Sequence, residues 1–196
     1  MLDTLQAWDE ALLLLLNGQP AWMADAAWVL TSKWATLPVV VLLLMKLFAR
    51  SPWKQGLTGL ALFLLCVAGT DAISSRLFKP GFARPRPSHT EQLADLLVLR
   101  AQPDDNVYRG GRFGFVSSHA ANTFGIATLA TLLFGGGSWR WLFAFAAMVS
   151  WTRIYLGVHY PGDILFGALF GAGWAGALWT LSRRLNLPLP TLHPTP

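Results

Sequence analysis

The sequence predicts an all-α, polytopic membrane helix bundle of five or six transmembrane helices in which one long loop faces outward. Three observations point there. Charged residues make up 13% of the 196-residue chain and hydrophobic residues 54%, whereas soluble domains carry about a quarter charged residues. The charges leave long uncharged windows between them, and about 20 predominantly apolar residues suffice to cross the hydrocarbon core. Of the ten tryptophans, Trp53, Trp139, Trp141 and Trp179 fall near one expected boundary and Trp151 near the other, as interfacial aromatics do. A chain this rich in Leu, Phe and Trp is not disordered. Its single cysteine, Cys66, excludes an intramolecular disulfide framework and a Cys-based zinc finger. The net charge of +5 is spread over the window ends and makes no case for nucleic acid as a partner.

Taken in order, residues 2–16 join an acidic start (Asp3, Asp9, Glu10) to five leucines, which suits an interfacial helix or a poor sixth span. An acidic start and no small-x-small site directly after the leucines argue against a secretory signal peptide, so this N-terminus is expected to be retained. Spans are expected near 34–50, 54–77, 118–135, 139–157 and 162–183. The first of them carries Pro38, which membrane helices tolerate. Lys46, Arg50, Lys54, Arg140, Arg183 and Arg184 then share one side, which the positive-inside rule makes cytoplasmic. The connection 78–117 and the turn 157–162 face outward. The outer connection is itself basic, and those cations are read as ligand-binding groups. With no internal repeat, residues 1–185 form a single membrane-embedded domain, 1–33 being amphipathic or weakly spanning helices. The four-proline stretch 186–196 is expected to be a disordered tail, and the sequence leaves the oligomeric state open.

Three clusters carry candidate chemistry. Asp163 is the last acidic residue of the chain, and an ionisable group beside a span is costly unless paired or functional. His159 and Arg153 precede it in Thr152-Arg153-Ile-Tyr-Leu-Gly-Val-His159-Tyr-Pro-Gly-Asp163. Pro161 and Gly162 interrupt a plain helical i, i+4 pair, yet a tight turn can still bring carboxylate to imidazole. The carboxylate would then fix the tautomer and raise the basicity of the far ring nitrogen. The second cluster, Val116-Ser117-Ser118-His119, sits where the outer connection meets a span, and a helix N-terminus there caps itself and attracts anions. The third holds Lys79, Arg84 and Arg86 among stiffening prolines, a pattern suited to an oxyanion. Taken singly, each also fits a plainer role: a capping Asp beside an interfacial His, a serine N-cap, a headgroup-binding charge run. The topology, however, sets all three on the outer ends of spans, where they can converge. Together they offer cations for a phosphate, two histidines and an orienting carboxylate, which is a phosphoryl-transfer inventory.

These residues resemble the signature of the type-2 phosphatidic acid phosphatase superfamily, whose membrane lipid phosphatases share a site with vanadium-dependent haloperoxidases. The family pattern is a Lys, six residues, then Arg-Pro; Pro-Ser-Gly-His; and Ser-Arg, five residues, His, three residues, Asp. Lys79 with Arg86-Pro87 matches fully. Val116-Ser117-Ser118-His119 departs at the Pro and Gly positions, and Thr152-Arg153…His159…Asp163 has Thr for Ser. The resemblance implies that His159 attacks phosphorus, that Asp163 holds and polarises it, and that His119 protonates the leaving oxygen. Lys79, Arg86, Arg153, Ser117 and the Ser118 backbone N–H would bind the phosphate oxygens. It further implies no metal or cofactor, and as substrate a phosphate monoester or diphosphate of a long-chain lipid such as a polyprenyl diphosphate or phosphatidate. The phosphate of phosphatidylglycerol phosphate or of lipid A presents a similar group. Haloperoxidase chemistry is disfavoured because those relatives are soluble. A lipid phosphotransferase using the same site, or a non-enzymatic phospholipid-binding or transport protein, are the competing readings, though binding alone needs neither two histidines nor an orienting acid. Arg84, His89, Arg109 and Arg112 remain as headgroup contacts or solvated loop charges.

Overall fold

The computed structural model describes residues 2–18, 20, 22–49, 51–102, 106–135, 137 and 139–190. Among them the regular structure is helical: α1 (Leu2–Leu16), α2 (Trp22–Thr31), α3 (Lys33–Ala49), α4 (Trp53–Ile73), α5 (Lys79–Phe82), α6 (Glu91–Ala94), α7 (Ser118–Phe134), α8 (Trp141–Tyr155) and α9 (Pro161–Arg184). A π-helical turn, Ser74–Phe78, joins α4 to α5, so the chain runs as one rod from Trp53 to Phe82. A 3-10 turn, Pro87–His89, follows α5, and among the described residues β-pairing is limited to two isolated antiparallel bridges, Pro85 with Phe113 and Ala101 with Val107.

Among the described residues three helical stretches are long and apolar enough to cross a membrane: Trp22–Ala49, Trp53–Phe82 and Pro161–Arg184. The expected spans at 118–135 and 139–157 appear as α7 and α8, with 17 and 15 residues. At 1.5 Å per residue these reach about 26 and 23 Å, short of a core about 30 Å thick. The expected first span extends further back than the sequence suggested, because α2 leads almost directly into α3.

α7 and α9 form the spine of the bundle, and small residues let them meet. A Cβ added at Gly167 would stand 2.6 Å from the Ser117 carbonyl oxygen, and one at Gly171 would collide with the Ala121 carbonyl. Close backbone approach of this kind is the usual means by which membrane helices associate, since lipid supplies little hydrophobic drive between them. Cys66 of α4 completes the junction, buried with its sulfur 3.0 Å from where a Gly125 Cβ would be. It sits there as a small apolar residue of the helix interface. A layer of Leu47, Leu62, Phe63, Leu129, Leu133, Phe134 and Leu142 seals the end of the bundle away from the site. The outer faces stay apolar and uncovered, with Leu64 62% exposed on α4 and Leu169 61% on α9.

α1 ends on a buried anchor. Asn17 donates from Nδ2 to the carbonyls of Tyr155 (2.6 Å) and Val98 (3.2 Å), and accepts from the Val98 N–H at 2.8 Å. The tail expected to be disordered is placed as far as Pro190, which is buried against Gly59 while Leu189 joins the core layer. Residues 191–196, His193 among them, lie outside the described residues.

Candidate active site

Five segments build the site and meet at one end of the spine: the end of the α4–α5 rod, the extended stretch 84–86 after it, the start of α7, the end of α8 and the start of α9. Lys79 opens α5, half-buried, and donates from Nζ to Ser118 Oγ at 3.1 Å. After Ala83, whose φ of 44° turns the chain sharply, residues 84–86 run extended against 112–114. The Arg86 N–H donates to the Arg112 carbonyl and the Gly114 N–H to the Arg84 carbonyl, each at 3.0 Å. Arg86 is thereby held as a buried cation, its Nε donating to the Phe113 carbonyl at 3.1 Å. Gly110 makes room for it: with φ at +67°, any Cβ there would collide with Arg86 Nη1.

Ser117 caps α7, its Oγ accepting from the Ala120 N–H at 3.5 Å, while its own N–H donates to the Asp163 carbonyl at 3.0 Å. That bond ties the start of α7 to the start of α9. Ser118 and His119 occupy the first turn and are half-buried. Arg153, Arg86, Lys79 and His159 all act electrostatically on His119. Arg153 sits in the last turn of α8 and is only 2% exposed. Its Nη2 donates to the Tyr108 hydroxyl at 2.9 Å, but its buried Nε has no hydrogen-bond partner among the described residues. The Arg153 carbonyl in turn receives the N–H groups of Val158 and His159, at 3.1 and 3.2 Å, which curls the chain back toward the site.

His159 and Asp163 are both buried, with His159 Nδ1 3.2 Å from Asp163 Oδ2. Pro161 starts α9, and the Tyr160 N–H donates to Asp163 Oδ2 at 3.2 Å. The turn that the Pro-Gly pair threatened to spoil is therefore what aims the carboxylate back at the imidazole. Gly114 passes so close that a Cβ there would stand 2.7 Å from Asp163 Oδ2. Burial first, then the cations Arg86, Arg153, Lys79 and Arg84, hold His159 well below the ordinary imidazole range. A neutral ring beside this carboxylate donates Nδ1–H to it and leaves the Nε2 lone pair free.

All eight residues singled out in the sequence (Lys79, Arg86, Ser117, Ser118, His119, Arg153, His159, Asp163) thus come to one place. The remaining loop cations have other uses. Arg109 is used internally, its Nη1 donating to the Ser88 carbonyl at 2.5 Å. Arg112 is exposed over the Phe113 ring. Arg84, left by the sequence between a headgroup contact and a solvated loop charge, is neither: it turns inward, and its Nη1 donates to Asp163 Oδ1 at 2.8 Å. Burial alone would lower the Arg84 pKa, but Asp163 and Asp9 outweigh it and raise it. Asp9 and Gln6 on α1, together with Tyr108, are site neighbours that the sequence did not mark. For Arg84 the signal was the cation itself, one of the run Lys79, Arg84, Arg86. For Asp9, so distant in the chain from Asp163, there was none. Among the described residues no three His, Cys, Asp or Glu side chains cluster so as to hold a metal ion.

Cations without carboxylate partners among the described residues, two histidines and an orienting acid, set at one end of an apolar helix bundle, are the inventory of a membrane enzyme of phosphoryl transfer. The PAP2 superfamily profile matches residues 59–187. The chain is 34% identical over a 203-residue alignment to a lipid A 4'-phosphatase of Bacteroides thetaiotaomicron, covering 100% of this chain and 86% of that protein. It is 35% identical over 162 residues to a lipid A 4'-phosphatase of Porphyromonas gingivalis, covering 82% and 66%. An undecaprenyl-diphosphatase of Sulfolobus acidocaldarius is 30% identical over 138 residues, covering 69% and 58%. Among solved structures, the PAP2-type phosphatidylglycerolphosphate phosphatase of Bacillus subtilis superposes with a TM-score of 0.67 at 21% identity, covering 93% of this chain and 88% of that one. Aquifex aeolicus LpxE gives 0.59 at 24%, covering 87% and 93%. The chain belongs to the PAP2 superfamily and is an integral membrane phosphatase of that type.

Proposed function

We propose that this protein hydrolyses the phosphate of a long-chain membrane lipid through a phosphohistidine formed on His159, without a metal ion. The observation that carries this reading is the set Lys79, Arg86 and Arg153: among the described residues no carboxylate lies within ion-pair distance of any of them, and they surround a buried neutral imidazole. Cations left without counter-ions around a nucleophile await an anion. In the proposed first step the His159 Nε2 lone pair forms a bond to phosphorus as the bond from phosphorus to the lipid oxygen breaks. His119, whose protonated form the bound phosphate dianion favours by offsetting the cations around it, gives its proton to that oxygen. Lys79, Arg86 and Arg153 neutralise the equatorial oxygens, and Ser117 and the Ser118 N–H donate to them. In the second step neutral His119 takes a proton from water, whose oxygen attacks phosphorus; the phosphorus–nitrogen bond breaks and inorganic phosphate leaves.

Likeness to two lipid A 4'-phosphatases, one along the whole chain, favours a phosphate monoester on a lipid A headgroup. A polyprenyl diphosphate is the second candidate, supported by the shorter likeness to the Sulfolobus protein. Lys46, Lys54, Arg140, Arg183 and Arg184 lie at the helix ends opposite the site, so we place the site on the outer face of a bacterial inner membrane.

The test is phosphate release by purified protein in detergent with EDTA, comparing wild type with His159→Ala on lipid A, undecaprenyl diphosphate and phosphatidate. Release that survives the chelator, vanishes in the variant and is fastest on lipid A is expected. Unchanged turnover in His159→Ala, or loss of wild-type turnover with EDTA, overturns the mechanism. Radiolabelled phosphate moving into a second lipid with none released makes the protein a phosphotransferase.

A further inference from the structure

Asp163 has two carboxylate oxygens, and the phosphate chemistry uses only one. Oδ2 faces His159 and the Tyr160 N–H. Oδ1 is taken by Arg84 Nη1 at 2.8 Å. The other arm of the same guanidinium, Nη2, donates to Asp9 Oδ2 and to Gln6 Oε1, each at 2.7 Å. Asp9 and Gln6 are on α1, at the far end of the chain from α9. The Asp9 carboxylate then reaches α9 directly, its Oδ1 accepting the Gly162 N–H at 2.7 Å. The fit is close, for a Cβ on Gly162 would stand 2.8 Å from Asp9 Oδ2. Beneath these contacts the Arg84 guanidinium lies over the Tyr160 ring, 4.0 Å from its centroid.

Each link is directional. A planar guanidinium offers a rigid fork of donors, so bridging Asp163 to Asp9 and Gln6 fixes the plane and position of the Asp163 carboxylate more tightly than a point charge would. The cation–π contact and the Gly162 bond fix the fork in turn. A carboxylate held on its outer oxygen has one orientation left for the oxygen that meets His159. The side chains facing Arg84 are Asp163, Asp9, Gln6 and Tyr160, and the two carboxylates leave it no charge to offer a substrate phosphate.

We propose that Arg84, held by Asp9 and Gln6 of α1, is a positioning residue that locks the Asp163 carboxylate and so aims His159, which makes α1 a working part of the active site and more than a membrane anchor. The proposal rests on the role given to Asp163 and His159 above. Its test separates the two. Arg84→Met is expected to lower kcat about 10–100-fold with KM within about 2-fold of wild type, the scale at which small misplacement of a reacting group is felt. Asp9→Asn, which keeps an acceptor for Gly162 but weakens the bond to Arg84, should lower kcat about 3–10-fold, and the double variant should be no worse than Arg84→Met alone, because the two act through one chain of contacts. Arg84→Lys, with the charge but not the fork, should recover only part of kcat.

A spectroscopic readout does not need turnover: the downfield Nδ1–H proton resonance of His159, identified by its loss in His159→Ala, should shift or broaden in Arg84→Met and Asp9→Asn. Wild-type kcat in both variants, or a lowered melting temperature with kcat intact and the His159 resonance unmoved, overturns the proposal and leaves the phosphatase mechanism standing. Additive losses in the double variant overturn it too. Should His159→Ala turn over normally, the mechanism fails, and the resonance in the Arg84 and Asp9 variants still decides whether α1 holds the pair.

Discussion

The two sides of the His159–Asp163 pair treat cations in opposite ways. On the side of Lys79, Arg86 and Arg153 the cations have no carboxylate partners among the described residues, and Arg153 Nε, though buried, donates to nothing there. On the side of α1, Arg84 is shared between Asp163 and Asp9, at 2.8 and 2.7 Å. Arg84 and Arg86 stand two residues apart in the same Arg-Pro-Arg-Pro stretch, yet one is matched by anions of the protein and the other is not. The difference teaches that arginine count says little about ligand binding. What separates a binding cation from a structural one is whether the fold has already supplied its counter-ion.

Substitutions probe that contrast at decreasing strength. The largest effect is expected at the centre, where His159→Ala should lower kcat by ~10⁴-fold or more, as loss of a nucleophile does. On the unpaired side, Arg153→Gln or Arg86→Gln should lower kcat/KM by about 10²–10³-fold, the scale of one lost transition-state donor. Arg86→Gln also carries a sign in pH. Arg86 is the foremost charge, after burial itself, holding the His159 pKa down, so its removal lets that pKa rise. The acid limb of the kcat/KM profile should then move to higher pH than in wild type. A limb that stays in place or moves down would mean the cation does not act on His159.

On the paired side the losses should be smaller and fall on kcat alone, as set out for Arg84 and Asp9. Gly171→Ala tests the scaffold both sides share: forcing a methyl into the Ala121 carbonyl should cost about 1–3 kcal/mol of stability, read as a lower melting temperature with binding and turnover falling together. Arg112→Ala, an exposed cation, should change kcat/KM by no more than about 2-fold, within what a solvated charge contributes.

How much of this was legible in the sequence follows the same division. The groups proposed to hold the phosphate lie in three short runs, 79–87, 115–119 and 152–163, whose chemistry needs particular residue types at particular spacings, so composition and order expose them. The helices of the spine were legible as uncharged windows. Their bounds were legible as well, α7 at 118–134 and α9 at 161–184 falling within a residue of the expected 118–135 and 162–183, while α8 at 141–155 stops two residues inside each expected bound. The paired side was hidden. Asp9 meets Gly162 across 153 residues, and its place in an acidic, leucine-rich helix reads equally well as an interfacial charge. A contact that depends on tertiary packing between chain ends leaves no local periodicity to find.

The most direct measurement of the central claim is to trap the intermediate. Wild-type protein mixed with lipid A labelled in its 4'-phosphate and quenched in alkali, which preserves phosphohistidine, should carry label on the peptide containing His159, and His159→Ala should carry none. Label on another residue, or full turnover in the variant, would contradict the assignment of His159 as the nucleophile.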